Sequence, residues 1–131
     1  MPSAVPDSIR VRVDEVVAAL REAFGEDLRS VALFGSNARG ESREDSDVDL
    51  AVVVASATGD PYARASEALR RRGLHQPPFP SLIIWSSDQV ADHPWLLIDV
   101  ATDGILIVDD GGLARELDDV RRRLRAYGSR R

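Results

Sequence analysis

Phe34-Gly35-Ser36-Asn37-Ala38-Arg39-Gly40-Glu41-Ser42-Arg43-Glu44-Asp45-Ser46-Asp47-Val48-Asp49-Leu50 is the stretch on which the reading of this 131-residue chain turns. The apolar run 28–34 leads into it, and a second run, 48–54 (Val-Asp-Leu-Ala-Val-Val-Val), overlaps its end. Runs of this length, bounded by turn residues, read as buried strands. Gly35 lets the chain leave the first strand without steric restriction and lets backbone approach a ligand closely. Ser36 is placed to cap a short helix, whose free N–H groups favour an anion such as a phosphate. Asp47 and Asp49 stand two apart where the second strand begins, so their side chains share one face. Two neighbouring carboxylates repel unless a cation lies between them, and hard oxygens combined with phosphate oxygens suit Mg²⁺. Taken singly, Gly-Ser after a strand is a turn and Asp-x-Asp a solvated strand end. Together, between two buried strands, they form a phosphate cradle beside a carboxylate pair, the equipment for metal-assisted phosphoryl or nucleotidyl transfer.

Outward from this stretch the chain alternates helices and strands. Ile9, Val13, Val16, Val17, Leu20 and Phe24 fall at helical spacing over residues 8–24, with Gly25 as the stop. Ala-Thr-Gly-Asp-Pro at 57–61 is a turn, 62–72 a helix ended by Gly73, and Ser81 to Trp85 a third strand entered through Pro-rich 77–80. Ser86 to Gln89 reads as a helix start, 94–102 as helical and Ile105–Val108 as another apolar run. Residues 112–127 form a last amphipathic helix with Leu113, Leu117, Val120 and Leu124 on its stripe. The pattern is that of an α/β sheet domain, with no linker dividing residues 1–131.

Composition narrows the chemistry. Apolar residues make up 44% and charged residues 30%, which argues against wholesale disorder. Cysteine is absent, which removes disulfides, a thiolate nucleophile and Cys-ligated metals. The two histidines, His75 and His93, are too few for a multi-His metal site, and both fall in expected loops beside Pro or Gln-Pro. All 17 basic residues are Arg. The net charge of −5 divides into +4 over residues 113–131 and −9 over residues 1–112, so broad DNA binding is not expected of the body. Arg121, Arg122, Arg123 and Arg125 form a local basic exception, read either as a solvated face alternating with Asp118 and Asp119 or as a contact for nucleic acid or an acidic partner. Arg70-Arg71-Arg72 suits the C-terminal end of a helix dipole. Trp85 and Trp95 are read as core or interface anchors. No charged-then-apolar leader and no run of about 20 apolar residues is visible, so a cytoplasmic, non-membrane protein is expected.

Gly35-Ser36, ten intervening residues and Asp47-Val48-Asp49 together resemble the G-S-x10-D-x-D signature of the DNA polymerase β-like nucleotidyltransferase superfamily. The fuller Phe-Gly-Ser-x-Ala-Arg-Gly-Glu-x-x-x-x-Ser-Asp-x-Asp-Leu looks like its minimal nucleotidyltransferases (MNT) of bacteria and archaea. The resemblance runs over about residues 28–110, with its strong part at 31–54. It implies a mixed β-sheet flanked by helices, and two Mg²⁺ ions held by Asp47 and Asp49. It further implies an NTP whose β- and γ-phosphates rest on Gly35 and Ser36. Arg39 is a candidate nucleotide contact, or a surface Arg pairing with Glu41 or Asp45. The implied activity is transfer of an NMP, AMP being the expected one, to a protein or RNA hydroxyl. Small members of the family recurrently pair with a HEPN-domain toxin and serve as its antitoxin.

One departure bears on turnover. The resemblance places a third carboxylate on the next strand, where this chain has Ser81, and a hydroxyl is a poor substitute as base or charge-compensating ligand. Asp88 lies just past that strand but is better read as part of a helix start. Two readings therefore stand: an Mg²⁺-dependent nucleotidyltransferase, or a lapsed nucleotidyltransferase fold that acts by contact with a partner.

Overall fold

Ile9, Val13, Val16, Val17, Leu20 and Phe24 are all buried along α1 (Asp7–Phe24), as their spacing predicts. The computed structural model describes residues 5–35, 47–55, 59–87, 89–90, 100–101, 104–109 and 112–128. Helix α1 stops at Gly25, whose φ of 56° is left-handed and whose N–H donates to the Arg21 carbonyl. A 3₁₀ turn (Gly25–Asp27) leads to β1 (Leu28–Phe34), and β2 (Val48–Val54) follows. Asp60 caps α2 (Pro61–Arg71), its Oδ1 accepting from the N–H groups of Tyr62 and Ala63 at 3.1 Å each. Pro61 occupies the first turn, where its missing N–H is no loss. Among the described residues there follow β3 (Pro80–Ser86), β4 (Ile105–Asp109) and α3 (Gly112–Gly128).

The four strands form one mixed sheet in the order β3-β2-β1-β4. Strand β1 is antiparallel to both of its neighbours, while β2 and β3 run parallel with α2 as the intervening crossover. The strand residues alternate between two apolar layers. Val31, Leu33, Val48, Leu50, Val52 and Val54 pack under α1 and α2. Ala32, Ala51, Val53 and Trp85 face the other way, against Val100, Ala101 and the Leu113, Leu117 and Val120 stripe of α3. Each fully buried Val or Leu contributes about 1.5–3 kcal/mol of transfer free energy, so both faces are strongly specified.

Polar contacts secure the edges of this arrangement. Ser30, buried on β1, donates from Oγ to Asp109 Oδ1 at 2.8 Å, while Asp109 Oδ2 accepts from the Ala114 N–H at 3.2 Å. One carboxylate thus joins β1, β4 and the start of α3. At the other edge the Tyr62 hydroxyl accepts from the Ile84 N–H of β3 at 3.0 Å. Arg71 and Arg70 pair with Glu67, and Arg72 reaches Glu22 on α1 at 2.9 Å, as suits a solvated helix end. On α3, Arg123 pairs with Asp119 at 2.9 Å, and Arg121 donates to the Ala101 carbonyl at 2.8 Å.

Trp85 is a core residue and His75 lies exposed in a loop. The α3 stripe departs from expectation at one position. Leu124 is exposed rather than buried: among the described residues the apolar layer under the helix ends at Val120. Of the helical stretch expected at 94–102, Val100 and Ala101 are helical; His93 and Trp95 lie outside the described residues.

Candidate active site

The two aspartates sit at the leading end of β2. Val48 between them is fully buried in the α1/α2 layer, and its N–H donates to the Phe79 carbonyl at 2.9 Å. Strand alternation then puts Asp47 and Asp49 together on the opposite face, in line with Ala51 and Val53 on the α3 side. Asp49 is half-buried and Asp47, just ahead of the strand, is exposed. The packing of one apolar residue therefore fixes the direction of both carboxylates.

Strands on both sides bound Asp49. Across the antiparallel ladder its partner is Phe34, the last residue of β1, and across the parallel ladder its partner is Ser81. Gly35 follows Phe34 with a φ of 76°, a conformation L side chains rarely adopt. A Cβ on Gly35 would stand 3.3 Å from Asp49 Cγ and would collide with its Oδ2. The turn leaving β1 is therefore pressed against the carboxylate, and only glycine allows that approach.

The structure thus brings together Gly35, Asp47, Asp49 and Ser81. Ser36 and Arg39, read as nucleotide contacts, and Asp88, weighed as a third ligand, lie outside the described residues. Among the described residues there is no cluster of three or more His, Cys, Asp or Glu side chains. The position beside Asp49 on β3 is filled by an exposed hydroxyl, Ser81. Phe34 as the second flank of Asp49, and the Phe79 carbonyl as the anchor of Val48, carry no local signal, since both depend on register.

The donor set fits a hard divalent cation. Mg²⁺ is commonly bound by one or two carboxylates, with water and substrate phosphates completing its shell. Asp47 and Asp49 supply such a pair, and the close turn at Gly35 leaves backbone rather than side chain facing them.

Comparison with known proteins bears on the family and the fold. The family model described as a nucleotidyltransferase domain matches residues 13–82, more than half of the chain. The Methanocaldococcus jannaschii protein named "Putative protein adenylyltransferase MJ1305" is 51% identical over 41 residues. That match spans 31% of this chain and 28% of the relative's length. Solved structures share the fold, among them the following three. A chain of a toxin–antitoxin complex with AMP-PNP has a TM-score of 0.57 at 19% identity, covering 87% of this chain and 90% of that one. A chain of the MntA–HepT toxin–antitoxin complex scores 0.53 at 17% identity, covering 90% and 91%. A chain of the complex of tri-AMPylated Shewanella oneidensis HEPN toxin with MNT antitoxin scores 0.55 at 17% identity, covering 91% of each.

Proposed function

The chain belongs to the nucleotidyltransferase domain family, and from that premise we propose that it transfers AMP from ATP to a hydroxyl of a protein, with Mg²⁺ assisting. The observation that carries the proposal is the pairing of Asp47 and Asp49 on one face at the end of β2, with Gly35 closed against Asp49. The name of the Methanocaldococcus jannaschii relative favours AMP and a protein acceptor. Likeness to chains of toxin–antitoxin complexes favours a HEPN-type toxin as the acceptor and an antitoxin role for this chain.

Asp47 and Asp49 would hold the metal. When bound, Mg²⁺ neutralises the triphosphate and the departing pyrophosphate. The protein's own part is positioning. Asp49, fixed between β1 and β3, would set the place of the cation, while exposed Asp47 leaves the approach open to a macromolecular acceptor. Gly35 itself lies against Asp49, and Gly35 and Ser36 would receive the β- and γ-phosphates.

A second reading is favoured by one specific observation, Ser81 beside Asp49. In that reading the fold binds nucleotide and a partner but no longer turns over. Incubation with α-labelled ATP, Mg²⁺ and host lysate separates the two. Label on a lysate protein, lost in Asp47→Ala and Asp49→Ala, is the expected result. Nucleotide binding without any transfer would overturn the enzymatic reading in favour of the second.

A further inference from the structure

The hydroxyl of Ser81 stands where a transferred nucleotide could be received. Ser81 and Asp49 are partners across the parallel β2–β3 ladder, and partnered residues direct their side chains to the same face. Neighbouring strands lie about 4.8 Å apart, so Ser81 and Asp49 are nearest neighbours across the ladder. Ser81 is exposed and lies on an edge strand of the sheet. The neighbouring positions on this face of β3 are different in kind, with Ile83 half-buried and Trp85 buried. An exposed alcohol thus occupies the one rung of β3 that adjoins a carboxylate of the site.

We propose that Ser81 is itself an acceptor, taking a nucleoside monophosphate from a nucleoside triphosphate held at Asp47 and Asp49, so that the chain modifies itself. The inference rests on the nucleotidyl-transfer reading above. In the step, Ser81 Oγ attacks the α-phosphorus and an Oγ–P bond forms. The bond from the α-phosphorus to the bridging oxygen of the β-phosphate breaks, and pyrophosphate leaves with the electron pair. The hydroxyl proton passes to water, which reaches this exposed position. The product is a phosphodiester at Ser81, whose bulk and negative charge lie beside the two carboxylates and close the site to a second triphosphate.

The test is incubation of the intact chain with α-labelled ATP and Mg²⁺, with and without host lysate, followed by intact mass and peptide mapping. The expected result is one AMP per chain on the peptide containing residue 81. It should be lost in Ser81→Ala and Asp49→Ala and kept in Ser81→Thr, with all variants melting as the parent does. Label on lysate proteins but not on the chain overturns this inference and leaves the proposed function standing, as does label elsewhere on the chain. No label anywhere overturns it as well, and Ser81→Asp then decides the remainder. Transfer to lysate proteins by that variant keeps the nucleotidyltransferase reading as a lapsed centre, and its failure to transfer removes that reading too.

Discussion

Gly35 and Asp49 are in such close apposition that a Cβ on residue 35 would meet the carboxylate, 3.3 Å from Cγ and nearer still to Oδ2. The contact links the end of β1 to the leading carboxylate strand, and with a φ of 76° it is reserved for glycine. Gly35→Ala must displace Asp49 and also carries a left-handed penalty of about 1–2 kcal/mol. The expected outcome is a modest drop in melting temperature alongside a fall in transfer of about 10²-fold, since small misplacements at a reacting centre are expensive. Melting curves and labelled-AMP transfer on the same preparation check it.

Asp49→Asn keeps the size of the side chain and removes its charge. The fold should hold, because the strand is anchored by Val48, Leu50 and Val52 rather than by the carboxylate. Mn²⁺ binding followed by electron paramagnetic resonance should weaken, and transfer should fall by at least about 10²-fold. Unaltered Mn²⁺ affinity would remove Asp49 from the metal site.

Ser30→Ala tests the far end of the sheet. It removes the donor to Asp109 and, among the described residues, leaves that carboxylate with the Ala114 N–H. A loss of about 1 kcal/mol is expected for a half-buried carboxylate deprived of one hydrogen bond. Urea unfolding should show it, with early fraying of α3 in hydrogen exchange.

Tyr62→Phe exposes the edge of β3. The Ile84 N–H loses its acceptor, so stability should fall by about 1 kcal/mol and the Ile84 amide should exchange faster. Protection unchanged at Ile84 would mean that the Tyr62 hydroxyl contributes nothing to that edge.

Leu33→Ala removes a fully buried side chain between the sheet and α1, and about 3 kcal/mol of destabilisation is expected from lost transfer energy and the cavity left behind. Chemical denaturation measures it. Because Leu33 faces away from Asp47 and Asp49, nucleotide binding by the fraction that remains folded should be kept.

Much of this was legible in the residues. Strands at 28–34 and 48–54 coincide with β1 and β2 because each is a short apolar run between turn residues. The predicted helix over 62–72 lies one residue from Pro61–Arg71, with Asp60 as its cap. The Asp47–Asp49 face followed from period-two alternation. Strand order was not legible: nothing local says that β1 sits between β2 and β4, or that β2 runs parallel to β3. Those facts come from which faces must be buried together. For the same reason the adjacency of Ser81 and Asp49 could be expected from resemblance but was given by register alone. Leu124 misled because helical periodicity reports a stripe but not where the underlying layer stops.

The sheet divides the molecule into a working side and a sealed one, and this makes the sealed side a handle. Val11 on α1 is exposed at 58%, and α1 packs on the layer opposite the two aspartates. The chain contains no cysteine. Val11→Cys would therefore introduce a unique thiol, through which the protein can be tethered to a surface or given a dye while the carboxylate end faces outward to whatever approaches it.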